Sequence, residues 1–219
     1  MKQHADVVVI GGGVVGVCTA YYLLTEGRQV TILERGQVCS GSSYGNAGLI
    51  VPGHSVPIAS VAATKFIRWI FDPDSPVYVR PRFSRNLFSW LRRLRAATKV
   101  QKIRDSVRVL GDLSQLSIAL YDHLIRTEKI ECGYSKSGVL MLYKTAHGYD
   151  EGLSEARLTQ EHGIPMKEMT SSEVREIDPQ IKADIAGAIY HEDDAHLDPA
   201  AFVNCLAERV SEKGGIIRE

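Results

Sequence analysis

Hydrophobic and polar positions are unevenly spaced along the chain, and the spacing predicts its elements. Asp6 precedes Val7-Val8-Val9-Ile10, an unbroken β-branched run that predicts a strand buried on both faces of a parallel sheet. Gly11 to Gly16 follow at once. Val17 to Glu26 then reads as a mostly apolar helix stopped by Gly27, and Gln29 to Leu33 as a second strand ending at Glu34. Pro52 to Pro81 holds five prolines and predicts irregular chain with one short helix around Ala63 to Ile70. Phe83, Leu87, Trp90, Leu91 and Leu94 fall at helical spacing, with Arg85, Arg92, Arg93 and Arg95 opposite them. A long helix is predicted from about Asp105 to Glu128, with Leu110, Leu113, Leu120 and Leu124 on one side.

Further along, Gly138 to Tyr143 reads as a strand. Tyr149 to His162 reads as a helix stopped by Gly163 and Pro165. Thr170-Ser171-Ser172-Glu173 is a capping box for a short helix ending near Asp178-Pro179. Ala188 to Tyr190 is a strand. Asp198 caps a last helix with Pro199 in its first turn and Gly214-Gly215 at its end. Ile216 to Glu219 begins another strand, so the sheet is expected to be incomplete and the chain to be an N-terminal portion. No internal repeat or low-complexity segment is visible.

The opening strand, glycines, helix, strand and terminal acid have a joint mechanical meaning. Gly11, Gly13 and Gly16 match G-x-G-x-x-G, with Val14 and Val15 between the last two. Gly11 permits a tight turn, Gly13 lets a pyrophosphate approach the backbone, and Gly16 lets helix and strand pack closely. The helix N-terminus offers free N–H groups and partial positive charge. Glu34, 18 residues after Gly16, has the reach to accept hydrogen bonds from a ribose, and its charge argues against a 2′-phosphate. This fingerprint does not separate FAD from NAD. Gly41-Ser42-Ser43-Tyr44-Gly45-Asn46-Ala47-Gly48 reads as a second cradle for a flavin or as an ordinary glycine-serine surface loop. Its serines supply short hydroxyls for phosphate oxygens, its glycines bare backbone, and Asn46 bonds its own turn or a cofactor.

Composition narrows the class. The 219 residues are 44% hydrophobic and 24% charged, with 26 basic and 26 acidic side chains, a balance that gives no sign of a nucleic-acid partner. Beneath the balance lie two opposed blocks. Arg80 to Arg108 carries ten Lys and Arg against one acid, Asp105, while Gly148 to Asp198 carries thirteen acids against four bases. The basic block with its aromatic helix suits an anionic membrane surface, or else covers the core and meets the acidic block. The four cysteines are widely spaced, predicting a reduced cytoplasmic compartment. No signal peptide or membrane-spanning run is visible. His191, Glu192, Asp193, Asp194 and His196 read as a polar turn rather than a metal site. His54 is a candidate near a flavin or substrate, while Tyr44 and Cys39 are expected to pack.

From Asp6 to Ile58 the chain resembles the D-amino-acid oxidase superfamily of flavoenzymes, in particular the bacterial D-amino-acid dehydrogenase (small subunit) type. The residues are GGGVVG (11–16), AYYL (20–23), TILER (31–35) and NAGLIVPG (46–53), then Val56-Pro57. A weaker likeness runs through Trp69, the arginine-rich helix and Ser137 to Leu140, ending in His196 to Pro199 and Phe202. The resemblance implies FAD held by Gly11, Gly13, Val14, Val15, Gly16, Glu34, Arg35, Ser42, Ser43, Asn46, Ala47, Gly48 and Leu49. It implies oxidation of a D-amino acid or related secondary amine to an imine, with hydride transfer to flavin. Electrons would pass on to a quinone or other acceptor, placing the protein in the cytoplasm or on the inner face of the plasma membrane. The expected fold is α/β with an α+β insert: a Rossmann-like FAD-binding domain from 1–54 and 186–219, and a substrate or cap region from 55–185. A non-catalytic dinucleotide-binding chain and an NAD-dependent dehydrogenase are the alternative readings.

Overall fold

The computed structural model describes residues 5–57, 84–182 and 184–219. The helix expected around Ala63 to Ile70, along with Trp69 and Phe83, lies outside them. The elements run β1 (Val7–Ile10), α1 (Val14–Thr25), β2 (Val30–Leu33), β3 (Leu49–Ile50), a 3-10 turn (Pro52–His54), α2 (Arg85–Ala97), α3 (Val100–Glu128), β4 (Val139–Tyr143), α4 (Ala146–Gln160), β5 (Lys167–Met169), α5 (Ser171–Ile177), β6 (Gly187–His191), β7 (Ala195–His196), α6 (Pro199–Glu212) and β8 (Ile216–Arg218). They form two compact units. One holds the described residues up to Ile50, Ser117–Ser137 and Asp194–Glu219. The other holds the described residues of Val51–Leu116 and Gly138–Asp193. Ser117–Ser137, inside the expected 55–185 region, packs with the first unit, and α3 contributes to both.

The first unit has a three-stranded parallel sheet in the order β1-β2-β8, with Val7 opposite Val30 and Thr31 opposite Ile216. The strand begun at Ile216 is therefore the third strand beside β2. Its core contains Val17, Ala20, Ile32, Leu124, Phe202 and Leu206, drawn from α1, β2, α3 and α6. A polar tie joins three of these helices. The Tyr21 hydroxyl of α1 donates to Glu128 at the end of α3, and Lys213 just past α6 lies 3.1 Å from the same carboxylate. The β1 run departs from expectation. Val8 is 53% exposed and Ile10 88%, so only alternate side chains turn inward. An all-apolar sequence is compatible with two buried faces but cannot supply the second covering layer.

The second unit has an antiparallel sheet in which β6 lies between β4 and β5. Met169, Val174 and Ala188 form its small core with Leu140, Ile181 and Ile185 packed around them. The capping box forms as expected: Thr170 receives the Glu173 N–H, while the Glu173 carboxylate receives the Thr170 N–H. The first turn of α6 is capped by Asp198, whose carboxylate accepts from the Ala201 N–H at 2.9 Å. α3 begins at Val100, five residues before the position expected from its leucines, and the helical spacing is carried upstream by Val100, Ile103 and Val107, the last two of them buried.

Candidate functional site

Gly13 caps α1 without a side chain, leaving the first-turn amides to find partners elsewhere. One partner comes from 29 residues away: Ser43 Oγ accepts from the Val14 N–H at 2.9 Å. A Cβ on Gly13 would lie 2.9 Å from that same Oγ. The glycine thus keeps the backbone open for the loop hydroxyl, whose own proton remains available to an acceptor. Gly11 has φ +104 and makes the turn out of β1. A Cβ on Gly16 would lie 2.0 Å from the Gly11 carbonyl oxygen, so strand and helix meet there backbone to backbone.

Glu34 is fixed at the end of β2. Its carboxylate accepts from the Gly12 N–H at 2.7 Å and the Gly36 N–H at 2.9 Å. The Gly12 amide first, and the Gly36 amide next, hold its carboxyl below the usual carboxylate range. An ionised acceptor therefore stands beside the glycine turn, with lone pairs to spare for hydroxyl donors.

The loop at 41–48 is closed by Asn46. Its Nδ2 donates to the carbonyls of Ser42 and Ser43 at 3.0 and 2.9 Å, while its Oδ1 accepts from the Gly48 N–H at 2.8 Å. Of the two roles open to Asn46 in the sequence, the structure shows the turn-forming one. Gly48 has φ +65, and a Cβ there would lie 1.9 Å from the Leu197 carbonyl oxygen, so the loop is clamped to the entry of α6. Val14, Ser43, Asn46, Gly48, Leu49 and Leu197 line a cavity of about 70 Å³ at this junction. A larger apolar groove of about 350 Å³ runs beside it, lined by Val15, Cys18, Tyr22, Leu120, Tyr121 and Phe202 among others.

The structure thus gathers Gly11, Gly13, Val14, Gly16, Glu34, Ser43, Asn46 and Gly48 around one helix terminus. Val15, Arg35, Ser42, Ala47 and Leu49 are exposed around the same region. Tyr44, expected to pack, is 69% exposed, because the tight Ser42–Asn46 turn projects it outward. Cys39 is buried and carries φ +64, its N–H bonded to the Gly12 carbonyl at 3.0 Å.

His54 sits in the second unit, exposed on the Pro52–His54 turn. Its ring centroid is 5.9 Å from that of His191. The segment read as a polar turn is more than that. Ala195–His196 forms β7 against Leu49–Ile50, while His191 and Asp194 are 4% and 0% exposed. His191 ends the largely buried strand β6, two residues after the fully buried Ile189, a signal that the acidic residues after it mask in the sequence. Among the described residues no group of three or more His, Cys, Asp or Glu is arranged to hold a metal ion.

The residues present fit a dinucleotide: an open glycine turn, an uncapped helix start, a nearby hydroxyl and an ionised acceptor. Comparison with known proteins agrees. D-amino acid dehydrogenase 2 of Mesorhizobium japonicum is 34% identical over 216 residues, covering 96% of this chain and 52% of the relative. D-amino acid dehydrogenase of Methylobacterium radiotolerans is 36% identical over 164 residues, covering 73% of this chain and 38% of the relative. The chain therefore spans about half the length, or less, of these curated relatives. Glycine oxidase from Geobacillus kaustophilus shares the fold with a TM-score of 0.70 at 21% identity, covering 98% of this chain and 46% of its own. The L-α-glycerophosphate oxidase of Mycoplasma pneumoniae, solved with FAD bound, matches with a TM-score of 0.66 at 17% identity, covering 99% and 45%. Residues 6–219 match the family model described as FAD dependent oxidoreductase, and the chain belongs to that family.

Proposed function

We propose that this chain forms the nucleotide-holding part of an enzyme that oxidises the C–N bond of an amino acid to an imine. The substrate is a D-amino acid, the class in the relatives' own names, or a related secondary amine. One observation carries the reading: Glu34, Gly12, Ser43 and Val14 converge on the bare N-terminus of α1. Glu34 receives the ribose hydroxyls, and the first-turn amides of α1 with Ser43 hold the pyrophosphate. The loop of Ser42, Asn46, Ala47, Gly48 and Leu49 supports the rest of the cofactor, and Arg35, exposed beside Glu34, lies along the ribose side. FAD supplies hydride acceptance from the substrate carbon; the protein orients the amine and excludes water. The test is uptake of FAD by the chain, followed by flavin absorbance and fluorescence. Binding weakened roughly 10- to 150-fold by Glu34→Ala, from about 1.5–3 kcal/mol for hydrogen bonds to a charged acceptor, supports the assignment. A chain that refuses FAD, or a variant that binds it equally well, overturns it.

A second reading, FAD binding without turnover by these residues alone, is favoured by the exposed apolar face of β1. Yellow protein that fails to bleach with any D-amino acid selects it.

We further propose that electrons leave to a quinone and that α2 rests on an anionic membrane surface. Support comes from Leu87, Trp90, Leu91 and Leu94 on one side of α2, with Arg85, Arg92, Arg93 and Arg95 around them and no residue of the helix fully buried. Among the described residues no helix is long and apolar enough to cross a membrane.

A further inference from the structure

The segment after β2 returns to the glycine turn twice. Near its start the Glu34 carboxylate accepts from the Gly12 N–H at 2.7 Å. Further along, the Cys39 N–H donates to the Gly12 carbonyl at 3.0 Å. Both polar backbone groups of Gly12 are therefore held by one loop. Side chains close on it as well: a Cβ on Gly12 would lie 3.3 Å from Glu34 Cβ and from a methyl carbon of Val38. Among the described residues no peptide bond is cis. In a trans peptide the C=O of one residue and the N–H of the next point in opposite directions. Fixing the Gly12 carbonyl on Cys39 thus turns the Gly13 N–H away from this loop. The Gly13 N–H meets no acceptor among the described residues, while the next amide, that of Val14, is already taken by Ser43.

Cys39 delivers its N–H from an unusual backbone. Its φ is +64, a left-handed conformation that glycine enters freely and other L residues enter at a cost. Its side chain is 3% exposed and belongs to the core built by α1, β2, α3 and α6. The loop is tied on either side of it. The Val38 N–H donates to the Glu219 carboxylate at 2.8 Å, and the Ser40 N–H to the Gln37 carbonyl at 3.1 Å. Burial first, and the charge of Asp198 next, raise the thiol above its ordinary value, so it packs as a neutral group and is a poor nucleophile.

We propose that Cys39 is a positioning residue of the nucleotide site: its left-handed backbone, supported by the buried side chain, fixes the Gly12–Gly13 peptide so that the Gly13 N–H faces a pyrophosphate oxygen. The pyrophosphate rests on the FAD reading given above; the clasp on Gly12 does not. Cys39 acts only through Gly12.

The experiment uses the full chain, first without FAD. A scalar coupling across the hydrogen bond, between the Cys39 amide nitrogen and the Gly12 carbonyl carbon, should be seen in the unaltered chain. It should persist in Cys39→Gly and vanish in Cys39→Val. Valine keeps an apolar side chain but resists the left-handed backbone, whereas glycine loses the side chain and adopts that backbone freely. FAD affinity of the folded proteins is then read by flavin fluorescence. We expect Cys39→Val to weaken binding roughly tenfold or more and Cys39→Gly to change it by no more than about twofold. On addition of FAD the Gly13 amide resonance should shift in the unaltered chain and in Cys39→Gly. A role in packing alone reverses the order, with glycine losing the most affinity. That reversed order, or an unaltered chain without the coupling, overturns the proposal. Should Cys39→Val not fold, Cys39→Gly decides alone: FAD binding lost while the coupling persists overturns it. An unaltered chain that takes up no FAD sinks the nucleotide reading and the positioning role with it. Equal uptake by the unaltered chain and Cys39→Val overturns the positioning role only.

Discussion

The glycine turn at the start of α1 and the basic helix α2 are both easy to see in the sequence, yet the structure treats them in opposite ways. Around α1 the contacts are so close that residue identity is dictated: Gly16 meets the Gly11 carbonyl and Gly48 meets the Leu197 carbonyl, with no space for a methyl group at either. Along α2 no residue is buried, Trp90 is 45% exposed, and Phe88 is 75% exposed between the arginines. The first region is specified by sterics that the chain satisfies within itself. The second is specified only as an amphipathic surface, which needs a counterpart to give it meaning.

The largest expected effect breaks the first region. Gly48→Ala places a Cβ 1.9 Å from a carbonyl oxygen at φ +65. It should cost more than the roughly 1–3 kcal/mol of ordinary overpacking, with about 1–2 kcal/mol added for a left-handed backbone. Thermal melting should show the first unit lost or sharply destabilised; a methyl group tolerated there would mean the clamp to Leu197 is not formed.

His191 gives a pH-dependent effect of intermediate size. Its folded proton affinity is depressed, so the neutral ring leaves stability intact above the ordinary value of 6.5 and stability falls as pH drops below it. His191→Phe should flatten the pH dependence of melting between neutral and mildly acidic pH. An unchanged slope would show that another group is responsible. Glu34 acts in a lower window: its contribution is present above 4.5 and is lost as pH falls through its lowered folded value. FAD affinity should therefore decline in acid in the unaltered chain, and a Glu34→Gln variant should lack that decline.

The smallest effects lie on α2. Ser84 caps it by accepting from the Leu87 N–H at 3.1 Å, and Ser84→Ala should cost about 1 kcal/mol by melting or amide exchange. Arg92→Glu with Arg93→Glu should change stability by less than about 0.5 kcal/mol, as exposed substitutions do. The same pair should abolish co-sedimentation with anionic vesicles at low salt while neutral vesicles bind neither protein. Vesicle binding unaffected by the charge reversal would separate α2 from any lipid role and bring it closer to the first region, with its apolar side turned to protein.

The sequence by itself determined the elements and much of the site. Short-range rules sufficed for the turn at Gly11–Gly16, the acid ending β2, the Thr170–Glu173 box and the Asp198 cap, because each is closed within a few residues or one βαβ unit. It also predicted that Ile216 begins a strand. Only the tertiary structure decided which loop group reaches α1: Ser43 was expected to meet phosphate, and its Oγ is found accepting from Val14, 29 residues away. It alone separated the two sides of β1, since four consecutive apolar residues say nothing about which faces are covered. It alone placed Ser117–Ser137 with the nucleotide-binding elements, because a continuous helix carries no sequence mark where its packing partners change. His191 belongs in the same group: followed by Glu192, Asp193 and Asp194 it reads as surface, and only the pairing of β6 beneath the Pro52–His54 turn turns it inward, because burial is a property of what covers a residue and not of the residue itself.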